Sequence, residues 1–372
     1  MNQRHSAVDA VVEGGISPRA LDGAFPRLDL PLALPFAPME AKTVAGLPSG
    51  SGWQYEPKWD GFRCLAFRDA NQLVLQSKAG QPLTRYFPEL QSALLQLRSN
   101  RFVLDGEIVI IRDGQLSFDD LLLRIHPAQS RINKLSQQTP CTLLIFDLLV
   151  DADGKLLTDR PLRERRVRLE SFYTQMGNSP LVRLSAATSK IAKARRWLAE
   201  LTESGCDGVM AKAINEPYRS GERSMQKVKR IRSADCVIGG FRFASNSKVV
   251  GSLLLGLYDS DGLLHHVGFT SSFNQRQRAE LVNVLKPFLG GQGFTGNAPG
   301  GPSRWSNERS GEWKRLESRL VCEVSYDHFA GGRFRHGTKF LRWRPEKRPE
   351  SCTFEQVLGD NGHGQISKLL AA

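Results

Sequence analysis

The run EPKWDGFR, residues 56–63, sets a lysine between an acid two residues before it and an acid two residues after it, then adds a glycine and an arginine. A free lysine amine, with a reference pKa near ~10.4, is almost wholly protonated at neutral pH and attacks nothing. Neighbouring cations, partial desolvation or a metal ion would each disfavour the ammonium and expose the lone pair of Lys58. Gly61 permits a tight turn with Asp60 and Arg63 on its two sides. The carboxylate can then orient the amine while the guanidinium holds a phosphate or ribose oxygen. The same residues also suit a surface lysine in a polar turn, and the rest of the chain has to decide.

With 372 residues, 40% of them hydrophobic, the chain is long enough for two ordinary domains, each with its own core, and a disordered chain is excluded. The net charge of +13 points to a polyanionic partner. That charge is concentrated: residues 219–232 hold six Lys/Arg against one Glu, and residues 333–348 hold seven against one. A pair of solvated basic faces is the plainer account of such clusters. Cys64, Cys141, Cys206, Cys236, Cys322 and Cys352 form no CxxC pair and have no histidine at zinc spacing, so they read as free thiols in a reducing compartment. The N-terminus has acidic residues where a signal peptide needs an apolar core, and no run of ~20 apolar residues occurs. A cytoplasmic protein without membrane association is expected.

Residues 1–28 lack sustained periodicity and read as a tail or irregular arm. From about 50 to 150, FRCLAFR, QLVLQSK, RFVLDGEIVII and CTLLIFDLLV predict strands bounded by turn residues. Pro161 opens a predicted helix over 161–173, and Ser189 is the expected cap of a second that ends before Gly205. The first domain, 29–232, is therefore α+β. After residue 233, ADCVIGGFRFAS, SLLLGLYD, LLHHVGFT and SRLVCEVSYDHF predict short strands of a small antiparallel barrel over 233–372, with GGQGFTGNAPGG (290–301) as a loop inside it.

Four further segments carry the residue types that nucleotidyl transfer requires. LDGE (104–107) projects Glu107, which suits a ribose hydroxyl or a divalent metal. IFDLL (145–149) offers the ring of Phe146 to a base, with plain core packing as the alternative. DGVMAK (207–212) supplies Asp207, an apolar plate in Met210 and a cation in Lys212. KVKR (227–230) puts Lys227 and Lys229 on one face of a strand, suited to phosphate oxygens.

In this order, with LTRYFPEL (83–90) between the lysine run and LDGE and with FLRWRPEK (340–347) after KVKR, the motifs resemble those of the covalent nucleotidyltransferases, and within them the ATP-dependent DNA ligases. The resemblance covers about residues 29–358 and is closest to the small bacterial C type. It implies a nucleotidyltransferase (ATP-grasp-like ligase) domain with antiparallel sheets and packed helices, followed by an OB-fold β-barrel. By resemblance, Lys58 is the adenylylated nucleophile, Glu56 reads the adenine amino group, Asp60 orients Lys58 and the ribose region, and Arg63 contacts the nucleotide. Lys78 stands where an arginine is usual, and it keeps the charge without the guanidinium fork. Glu107 resembles the ribose- and metal-binding acid, and Phe146 and Met210 enclose adenine from two sides. Asp207, in place of a common glutamate, is the second metal ligand, for Mg²⁺ or Mn²⁺. Lys227 and Lys229 match the phosphate-binding pair, while Arg342, Arg344 and Lys347 resemble the motif that orients pyrophosphate.

The reaction implied is sealing of nicked duplex DNA with ATP as substrate. Lys58 takes AMP, passes it to a 5′-phosphate, and a 3′-hydroxyl then displaces it. The basic terminal motif would face ATP in the first step and swing away afterwards, about a hinge near residues 230–234. A monomer at the bacterial nucleoid, with a repair role, is the expected setting. An RNA ligase or capping-type guanylyltransferase shares the lysine chemistry, and a catalytically dead basic DNA-binding module shares the charge.

Overall fold

A computed structural model describes residues 25–201, 205–300, 312–335, 337–358 and 366. The chain separates into two compact units, with one boundary between Lys229 and Arg230 and Ile366 packed in the first. Residues 1–24 of the expected N-terminal arm lie outside the described residues.

The first unit holds strands β1 (Ala41–Thr43), β2 (Trp53–Lys58), β3 (Phe62–Asp69) and β4 (Gln72–Ser77), helix α1 (Pro88–Leu95) and strand β5 (Arg101–Val109). Two short helices follow, α2 (Phe118–Leu123) and α3 (Gln129–Gln138), then β6 (Thr142–Val150), α4 (Leu162–Gln175) and β7 (Val182–Leu184). Helix α5 (Ile191–Glu200) and strands β8 (Gly208–Ala213) and β9 (Met225–Lys229) complete it. One sheet runs β1-β9-β8-β2 and the other β4-β3-β5-β6-β7. Both are mixed rather than purely antiparallel, because β1 joins β9 and β7 joins β6 in parallel.

Strand alternation divides the core between the faces of the second sheet. Cys64, Ala66, Leu75, Leu104 and Leu143 pack under Leu90 and Leu94 of α1 and Leu169 and Phe172 of α4. On the other face, Leu65, Phe67, Val103 and Leu149 meet Met225 of the first sheet and Tyr218 from the segment before β9. Strand β6, nearly continuous in apolar residues, is buried along all but its first position. Helix α5 sets Ala194 and Trp197 against Tyr55, Val209 and Ala211. Its N-cap is Lys190, with no side-chain capping bond, so the cap expected at Ser189 is not formed. Arg165 of α4 forks onto Asp147 of β6 at 2.8 and 2.9 Å, with both side chains buried.

The second unit holds β10 (Arg232–Phe243), β11 (Val250–Tyr258), β12 (Leu264–Thr270), α6 (Gln275–Leu285), β13 (Val321–Tyr326) and β14 (Lys339–Trp343). The strands run β12-β11-β10-β13-β14, and Lys314–Arg315 adds to β10. The expected closed barrel is not found among the described residues. No ladder joins the outer strands β12 and β14, and an isolated bridge, Thr270 to Thr338, lies between them. Residues 290–300 form no helix or strand, as their glycine density requires. No described helix is long and apolar enough to cross a membrane.

Because Arg165 and Asp147 neutralise one another out of water, removing one partner leaves a buried charge. Arg165→Leu should therefore cost about 3–5 kcal/mol in urea unfolding. A loss well under 1 kcal/mol would mean that the pair does not anchor α4.

Candidate active site

Lys58 ends β2 and pairs in register with Gly208 of β8, while Glu56 pairs with Met210 and Gln54 with Lys212. Alternation puts Gln54, Glu56 and Lys58 on one face, together with Met210 and Lys212. That face lines a cleft of about 190 Å³ within the first unit, shared with Arg63, Lys78, Glu107, Phe146 and Lys227. Gly61 matters here for a reason other than turn geometry. A Cβ at that position would overlap the carbonyl of Ile108, so only glycine lets the chain after Lys58 lie against β5.

The carboxylate bonded to the Lys58 amine is Asp207, at 2.6 Å, and the Asp207 backbone N–H also donates to the Lys58 carbonyl at 2.9 Å. Burial works to depress the amine, but the charge and hydrogen bond of Asp207, then the charges of Asp60 and Glu107, outweigh it and hold the amine above its ordinary range. At neutral pH the pair is therefore ammonium and carboxylate. Lys229 approaches the same Asp207 oxygen at 3.5 Å. Carboxylate oxygens of Asp60 and Asp207 lie within 4.8 Å of each other, a hard-oxygen donor set suited to a divalent cation. Glu107 is pushed up to about 8 by burial, against the pull of Arg63 and Lys58.

Arg63 is fixed by a fork onto the fully buried Asp105, at 2.5 and 2.6 Å. Tyr218 donates to Asp105 at 2.7 Å, and its hydroxyl accepts the Met39 N–H at 3.0 Å. The guanidinium of Arg63 and the ammonium of Lys212 stand 4.5 and 4.4 Å from the ring centre of Phe146. Glu56 is buried and doubly held, accepting from Gln54 and pairing with Lys212, each at 2.7 Å. The Lys227 amine is lowered by burial and then by the nearby charges of Lys58, Lys229 and Lys78. Arg342, Arg344 and Lys347 belong to the second unit and pair with its own acids. Arg342 meets Glu323 at 2.8 Å, Arg344 meets Asp235 at 2.7 Å, and Lys347 meets Asp235 at 3.4 Å.

The family model described as ATP dependent DNA ligase domain matches residues 37–229, and that described as ATP dependent DNA ligase C terminal region matches residues 246–347. The chain belongs to the ATP-dependent DNA ligases. DNA ligase C1 of Mycolicibacterium smegmatis is 43% identical over 340 residues, covering 89% of this chain and 96% of that protein. DNA ligase C of Mycobacterium tuberculosis is 40% identical over 345 residues, covering 89% and 96%. A solved structure from a study of Lig E DNA ligases shares the fold, with a TM-score of 0.52 and 16% identity over 82% of this chain and 100% of that one.

Several residues that line this ligase's cleft, or hold those that do, were not singled out from the sequence. Asp105 lies two positions before Glu107 on β5, so period-two alternation alone places it on the same face. Tyr218, Met39 and Glu40 arrive from distant segments and carry no local signal. Removing the Asp207 carboxylate leaves burial to act on Lys58, so the amine's pKa should fall. In Asp207→Asn, the midpoint of Lys58 reductive methylation against pH, read by mass spectrometry, should drop. An unchanged midpoint would show that Asp207 does not control the amine.

Proposed function

We propose that this ligase seals 5′-phosphate/3′-hydroxyl nicks in duplex DNA, in DNA repair, through a lysyl-AMP on Lys58 and a DNA-adenylate. The observation that carries this reading is the Lys58 amine, 2.6 Å from Asp207 in a cleft lined by an apolar plate, an aromatic ring and several cations. Asp207 takes the ammonium proton. The freed Nζ then forms a bond to the α-phosphorus of ATP while the bond to the β-phosphate oxygen breaks and pyrophosphate leaves. AMP next passes to the 5′-phosphate of the nick, restoring the lysine amine. Finally the 3′-hydroxyl attacks that phosphorus and AMP departs.

Phe146 and Met210 enclose the adenine, and Glu56, locked by Gln54 and Lys212, reads its amino group. Arg63, held by Asp105, meets the nucleotide, with Glu107 at the ribose. Lys78, Lys227 and Lys229 meet phosphates, and an anion among them would relieve the repulsion that adds to burial in lowering Lys227. Asp60, Glu107 and Asp207 would hold Mg²⁺ or Mn²⁺, which would neutralise phosphate charge when bound. We read the second unit as an OB-type module whose Arg342, Arg344 and Lys347 orient pyrophosphate.

With labelled ATP or GTP and no nucleic acid, the protein should form a covalent AMP adduct and no GMP adduct. Label from GTP would favour the capping-type reading, and no adduct with either Mg²⁺ or Mn²⁺ would overturn the proposal. Lys347→Ala should slow adduct formation about tenfold or more while sparing the sealing of a pre-adenylylated nick. Equal loss in both assays would contradict the role given to Lys347.

A further inference from the structure

Glu40 sits on the wall of the cleft formed by residues 38–41. Its backbone is fixed without help from its side chain: the N–H donates to the Glu222 carbonyl at 2.8 Å, and the carbonyl accepts from Met225 at 3.1 Å. The carboxylate is therefore free to serve the cleft. One oxygen, Oε2, lies 3.2 Å from the Lys78 ammonium and 3.6 Å from the Arg223 guanidinium. Lys78 in turn is near enough to Lys227 to add to the charges that depress its amine. An acid thus stands beside Lys78, one of the cations assigned to phosphate.

A lysine offers a point charge without the fork of an arginine, so engaging Glu40 competes directly with engaging a phosphate. Ion pairs this exposed are weak, which suits a contact that has to be given up. We propose that Glu40 is a placeholder anion that holds Lys78 and Arg223 in the empty cleft and yields them to an incoming phosphate, so that it helps to set the affinity for phosphorylated substrate. The proposal rests on the assignment of Lys78 to phosphate. Two sources present that chemistry, the triphosphate of ATP and the 5′-phosphate of a nick.

The test uses the full chain as Glu40→Gln, Lys78→Ala and the double variant. One arm measures KM for ATP in adduct formation, and the other measures binding of duplexes whose nick carries a 5′-phosphate or a 5′-hydroxyl. Glu40→Gln should tighten one of the phosphate arms by roughly two- to tenfold. The maximal rate should change less than twofold, and binding of the 5′-hydroxyl nick should not change. The gain should shrink at about 0.5 M salt, where exposed charges are screened, and it should vanish in the Lys78→Ala background. The arm that responds names the phosphate. Weaker or unchanged binding in both arms, or a gain that persists without Lys78, would overturn the placeholder role. If Lys78→Ala handled both probes like the wild type, the assignment of Lys78 to phosphate would itself fall, and this proposal with it.

Discussion

The antiparallel pairing of β2 with β8 brings Lys58 opposite Gly208, and the architecture of the cleft follows from that register. Gly208 has a φ of +144° and no space for a side chain, since a Cβ would run into the Val228 carbonyl of β9. Glycine at this position lets three strands close up tightly. Lys58, Asp207 and Lys229 are thereby delivered to one point from three separate stretches of sequence. A slip of β8 by one residue would turn Met210 and Lys212 to the face opposite Glu56 and Lys58 and break up the cleft wall.

The electrostatics of the site are those of matched charge rather than a bare positive pocket. Lys58 is kept charged by Asp207, Arg63 by Asp105, and Lys212 pairs with Glu56. Burial alone would push Lys58 and Arg63 toward neutrality, and the acid beside each prevents that. The resting amine is consequently an ammonium that cannot attack until its proton is taken, and in the proposed mechanism the Asp207 carboxylate takes it. The terminal basic cluster follows the same logic, with Asp235 and Glu323 set between Arg342, Arg344 and Lys347. Net charge read from sequence overstated how naked those cations are.

Much of this was legible in the sequence because it rests on local patterns. Periodicity located β3, β4, β5 and β6 to within a residue or two, and the motif order placed Lys58, Glu107, Phe146, Met210 and Lys227 around one ligand; all five line the cleft. Helices α1, α2 and α3 went unread because they are short and present only one or two buried residues each, too few for a helical period to stand out. The parallel edge strands were missed because their partners are far away in sequence. Strand β1 joins β9 across about 180 residues. The same non-locality hid Tyr218 and the direct bond from Asp207 to Lys58. The barrel expected of the second unit was read from its run of short strands, which does not say whether the outer two pair, and the described strands form an open sheet.

Lys58, Lys78, Lys212 and Lys227 all line the cleft, so lysine chemistry there does not by itself single out the nucleophile. Peptide mapping by tandem mass spectrometry after incubation with ATP decides among them. The account predicts one AMP per chain, attached to Lys58 in the peptide containing EPKWDGFR. AMP on any of the other three lysines, with Lys58 unmodified, would contradict it.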